Sequence, residues 1–134
     1  MELPKGWIDQ SVFSFFGPED AGHQHILTLV VDPTPQERDI SEYARTRIEQ
    51  FMENMQGAEI LREGPKDLPV EAESYEVVIK WIPTDDTIIY RRETYLFLGG
   101  KGYTFAINFT KKTLKTLAHE VDQMIGSLVE NSGS

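Results

Sequence analysis

The strongest constraint on this chain lies between residues 74 and 110. Three runs rich in β-branched and aromatic residues, Ser74 to Trp81, Thr87 to Leu98 and Tyr103 to Thr110, are joined only by Pro83-Thr84-Asp85-Asp86 and by Gly99-Gly100-Lys101-Gly102. Links this short and turn-like return the chain beside itself, so the three runs predict an antiparallel meander. The glycines supply the positive φ that a tight hairpin demands. A phosphate-cradling loop is the competing use of such a segment, but that loop opens a helix, whereas this one joins two strands.

Two further strands precede the meander. Trp7 to Phe16 is rich in aromatic residues and is predicted to stop at the turn signal Gly17-Pro18. After the polar link Glu19-Asp20-Ala21-Gly22, a run from His25 to Val31 ends at Asp32-Pro33-Thr34-Pro35, where the prolines withhold donors from any ladder. These two runs should pair as a hairpin. Ala58 to Glu63 reads as a short strand, followed by an irregular connection through Gly64-Pro65 and Leu68-Pro69. Asp39-Ile40-Ser41-Glu42 offers an N-cap, and Tyr43, Ala44, Ile48, Phe51, Met52 and Met55 continue at helical spacing, predicting a helix from about Ile40 to Met55. Leu114, Leu117, Ala118, Val121, Met124, Ile125 and Leu128 predict a second, from about Lys112 to Val129. The expected fold is therefore α+β: an antiparallel sheet of about five to six strands with two main helices, in one domain spanning 1–134. Trp7, Phe13, Phe15, Leu27, Leu29, Leu96, Leu98, Leu117 and Val121 are the expected core.

Composition removes several functions. The absence of cysteine excludes disulfides, zinc–thiolate centres and thiol catalysis. Twenty-two acidic residues against thirteen basic ones give a net charge of -9, which repels a phosphate backbone and argues against nucleic acid as a partner. No apolar run approaches the roughly 20 residues needed to span a bilayer, so the chain is not itself membrane-embedded. Met1 to Lys5 lacks the basic start and apolar stretch of a signal peptide, which leads to a cytoplasmic location as the expectation.

Catalytic chemistry finds little footing. His23 and His25, and the pair His119-Glu120, lack the third and fourth converging ligands that a metal requires, and read as exposed polar residues. Ser11, Ser14, Ser41 and Ser74 stand in no nucleophile context, and the acidic residues Glu71, Glu73, Asp85 and Asp86 read as solvated surface. No catalytic residue, metal or cofactor is predicted, and the chain is expected not to be an enzyme.

The informative signal is the strand pattern. A half-buried strand alternates apolar and polar residues, yet Phe13 and Phe15 share a run with Val12 and Phe16, and Leu27, Leu29 and Val31 share one with Ile26 and Val30. Both faces of the sheet are thus partly apolar. Two helices cover one face well; the second needs a split arrangement of the helices, the segment 56–73, a homodimer contact or another partner. Ser14 and Thr28 among the apolar residues would leave room and hydrogen-bonding capacity for an incoming chain. Arg47 falls on the edge of the apolar helix stripe, where a charge is costly unless paired, and Glu93 is its expected partner.

Leu3-Pro4-Lys5-Gly6-Trp7-Ile8-Asp9-Gln10-Ser11 resembles the opening of DcrB-like, PsbP-fold domains. The Asp32-Pro33, Tyr43-Ala44-Arg45, Arg92-Glu93-Thr94-Tyr95 and Leu98-Gly99-Gly100 segments follow in similar order over nearly the whole chain. Within that family the chain is most similar to the Eag chaperones of the type VI secretion system. The resemblance implies a cytoplasmic chaperone or adaptor that keeps the N-terminal transmembrane helices of a secreted effector soluble. It also implies a client-binding groove on the sheet at Val12, Ser14, Ile26, Thr28, Val30, Arg47, Glu93 and Tyr95. The alternatives are an envelope DcrB-like lipoprotein domain and a domain that binds a small apolar ligand.

Overall fold

A computed structural model describes residues 11–20, 23–68, 71–84 and 87–132. The elements run β1 (Ser11–Asp20), β2 (His23–Asp32), α1 (Ile40–Asn54), β3 (Glu59–Pro65), β4 (Glu73–Thr84), β5 (Thr87–Leu98), β6 (Lys101–Phe109), α2 (Lys111–Thr116) and α3 (Ala118–Ser132). The six strands form one antiparallel sheet in the order β1-β2-β6-β5-β4-β3. The expected α+β architecture is observed, with the meander β4-β5-β6 at its centre. Gly99 and Gly100 take φ of 61° and 78°, the paired positive values of a two-residue hairpin turn.

Cross-strand register divides the side chains into two sets. On one face, Phe15 lies opposite Leu27, Leu27 opposite Ile107, and Tyr103 opposite Leu96. Those residues join Phe105, Phe109, Val121, Ile125 and Val129 in a core roofed by α2 and α3. On the other face, Val77, Ile79 and Tyr95 pack under Tyr43, Ala44 and Ile48 of α1. The helices therefore lie on opposite sides of the sheet. α1 sits over β4 and β5, so among the described residues no helix packs on its side of β1 and β2.

Four expectations are corrected. β1 does not stop at Gly17-Pro18 but runs to Asp20 through a register shift between Phe16 and Glu19. It is the outermost strand, where a proline without an N–H interrupts no ladder on the free side, and a bulge absorbs the misfit. Phe13 is 49% exposed and not core, because the roofed core reaches Phe15 but not Phe13 on that edge. The second predicted helix is broken at Leu117 into α2 and α3, α2 opening on a capping box in which Thr110 and Thr113 satisfy each other's backbone N–H. His25, read as an exposed polar residue, is 1% exposed, its Nε2 2.9 Å from Thr113 Oγ1. Trp7 lies outside the described residues.

The predicted N-cap of α1 is observed: the Asp39 carboxylate accepts from Glu42 N at 2.9 Å. One structural feature had no sequence signal. Arg92, on the α3 side of β5, is 1% exposed and meets Asp122 at 2.9 Å and Glu76 at 3.8 Å; Lys66 bridges the same two carboxylates at 3.2 and 2.9 Å. This ionic cluster ties β4, β5, α3 and the segment after β3 together.

Candidate functional site

The open side of the sheet beside α1 brings the anticipated residues into register. One cross-strand row runs Ser14, Thr28, Ala106, Glu93 and Val77 over five neighbouring strands. The adjacent row runs Val12, Val30, Thr104, Tyr95 and Tyr75. Ile26 and its partner Phe16 flank the first row on the far side. Small and hydroxyl-bearing side chains thus form a shallow channel between two apolar banks. Val12 is 58% exposed, Phe16 74% and Ile26 38%, apolar side chains that packing among the described residues leaves uncovered.

α1 forms the wall. Gly102 of β6 lets the Tyr43 ring lie against the sheet, since a Cβ there would stand 2.6 Å from the ring. Tyr43 also shares a hydrogen bond with Thr104, and burial pushes its hydroxyl pKa up. Arg47 stacks on that ring, its guanidinium carbon 3.4 Å from the centroid, and pairs with Asp32 at 3.4 Å and Glu37 at 3.1 Å. Both carboxylates leave β2 and its following loop, so Arg47 ties the helix wall to the sheet at the end of the channel.

The expected Arg47–Glu93 clamp is not formed. Glu93 lies on the same face but accepts from Arg91 Nε and from the Tyr95 hydroxyl, each at 2.6 Å. The Tyr95 hydroxyl is held strongly protonated, first by burial and then by the Glu93 carboxylate. Each charge found a nearer partner: residues two apart on one strand share a face, which spacing alone permitted but did not select. Glu93 and Tyr95 consequently lie buried at the α1 end of their rows, and the exposed side chains are those of β1 and β2, beside a buried to half-buried β6.

Thr104, Ala106 and Asn108 were missed. Their signal was available in β6, where Tyr103, Phe105, Ile107 and Phe109 alternate with smaller or polar residues, marking a strand whose second face carries little bulk of its own. Among the described residues, no three His, Asp or Glu side chains converge on a possible metal position. No helix among them is long and apolar enough to cross a membrane.

A sequence model of the DcrB family matches residues 1–127. The chain belongs to the DcrB family. Its fold is shared with the crystal structure of PA94 from Pseudomonas aeruginosa, a protein of unknown function: TM-score 0.71, 13% identity, 94% of this chain and 87% of that one covered. It is shared also with the solution structure of cyanobacterial PsbP (CyanoP) from Synechocystis sp. PCC 6803, at TM-score 0.54 and 12% identity, covering 93% of this chain and 81% of that one. No curated protein matches the sequence. These structural likenesses show a shared fold, and none of the matches singles out the Eag branch. The cytoplasmic location is overturned by the family match, because DcrB-family proteins are periplasmic or envelope lipoproteins. The first residues of the sequence carried no information on that point.

Proposed function

We propose that this domain is a non-catalytic binding module of the bacterial envelope that holds an apolar segment of another protein in the channel on β1, β2 and β6. The observation that supports it is the exposed trio Val12, Phe16 and Ile26 bordering the Ser14–Thr28–Ala106 row, with α1 as a fixed wall. A segment laid there removes apolar surface from water, gaining about 25 cal/mol per Å² before the entropic costs of association. The hydroxyls of Ser14 and Thr28 meet polar groups of the segment, which apolar walls alone would strand. Arg47, Glu93 and Tyr95 shape the channel and hold its wall; their own bonds are already made. The finer reading drawn from the Eag resemblance makes the segment a transmembrane helix of a type VI secretion effector.

Photocrosslinking in the native cell tests the module. A crosslinking residue at Ser14 is expected to capture a protein through an apolar segment, while one at Phe13, on the same strand but the opposite face, captures none. Equal capture from both positions, or lipid adducts alone from Ser14, refutes the protein-binding role. The captured sequence decides whether the segment belongs to a secreted effector.

A further inference from the structure

We infer that the chain carries a second binding site, on the opposite face of the sheet, for a small uncharged apolar molecule. A cavity of about 250 Å³ opens there between the β1–β2 hairpin and α3. Protein interiors are close-packed, and voids larger than a water are few. An apolar cavity of about 150 Å³ is already enough to bind benzene.

Two departures from regular geometry converge on this place. The β1 register shift follows Phe16, so Gly17 leaves the regular pleat at the mouth. The helix break at Leu117 sets Leu117 and Val121 over the cavity as its roof. Phe15, Leu27 and Ile107 give it a flat apolar floor. Had β1 ended at Gly17 or the helix run straight through Leu117, the elements would not frame an opening here.

Electrostatics selects the ligand. His25 is the one titratable side chain deep in the lining, and it is engaged with Thr113. Glu120 stands exposed on the rim, and the chain carries a net charge of -9. An anionic molecule is repelled at the mouth, and nothing in the apolar interior compensates a buried charge. An uncharged aromatic or a short alkyl chain fits the volume and the lining.

The test titrates the intact chain with N-phenylnaphthylamine, an uncharged fluorescent aromatic. Saturable binding at one site per chain is expected. Val121→Phe, which fills the cavity, and Met124→Trp, which blocks the 37% exposed rim, each weaken it by about tenfold or more. Ser14→Arg, on the far face, leaves it unchanged. Absence of saturable binding, or loss in Ser14→Arg with Met124→Trp unaffected, overturns the site. Should Val121→Phe fail to fold, Met124→Trp on the exposed rim decides alone. Tighter binding of the anionic anilinonaphthalene sulfonate than of the neutral probe overturns the ligand class. Because this site and the channel lie on opposite faces, failure here leaves the protein-binding role standing.

Discussion

Gly102 shows how much of the channel wall rests on one missing methyl group. Tyr43 is 1% exposed, held from above by Arg47 and against the sheet by the gap at Gly102, so its ring has nowhere to retreat. Gly102→Ala should destabilise the fold by about 1–3 kcal/mol, the usual cost of overpacking. Urea unfolding measures it, and a neutral result would mean that the ring swings aside freely. Asp39 acts differently, through charge. The Ser41 hydroxyl, followed by the Glu42 backbone N–H, holds its carboxyl below the ordinary 3.8. A depressed folded pKa gives stability that is present above about 3.8 and lost as pH falls through the lower folded value. Asp39→Ala should therefore lower the thermal midpoint at pH 7, and the gap between the two proteins should close on acidification below that value. A gap independent of pH would assign the effect to helix propensity.

Among the elements, α2 is too short to hold itself together and depends on its cap. Thr113 answers the Thr110 backbone N–H at 2.9 Å and also meets His25 Nε2 across the core. Thr110→Ala removes one side of the box and should cost about 0.5–2 kcal/mol. Thr113→Val removes the reciprocal bond and the link to β2 together, so its loss should exceed that of Thr110→Ala. Denaturant midpoints of the two variants compare them directly; an equal loss would show that the His25 contact contributes little. The same element-level logic explains β1. A Gly-Pro pair ends a central strand, but at a sheet edge it only bends one.

For the whole molecule, the ionic cluster around Arg92 sets a gradient from buried to exposed. Glu76 has a side chain 9% exposed and faces Arg62, Lys66 and Arg92, whereas Arg62 is 66% exposed. Glu76→Gln leaves a buried guanidinium undercompensated and should destabilise by about 3–5 kcal/mol. Arg62→Gln at the wet end should change stability by no more than about 1 kcal/mol. Chemical unfolding of the two variants distinguishes them, and similar losses would mean that water reaches the cluster throughout. The cluster also clarifies the division of labour between the faces. It fills the α3 side of β4 and β5, as α1 fills the other side of the same strands, so both layers concentrate their packing away from the β1 edge of the α1 face.

Local pattern by itself determined the six strands' existence, the hairpin at Gly99-Gly100, the Asp39 cap and the shared face of Phe15 and Leu27, because alternation and turn chemistry act between near neighbours. The groove residues Val12, Ser14, Ile26, Thr28, Val30, Glu93 and Tyr95 came from the family resemblance, and it is the strand register that sets them on one face. Only the tertiary structure decided that the helices lie on opposite sides, that Arg47 pairs with Asp32 and Glu37, and that Glu93 turns to Arg91 and Tyr95. Sequence offers each charge several partners at comparable cost, and the choice is made by distances between segments that meet only once the sheet has formed.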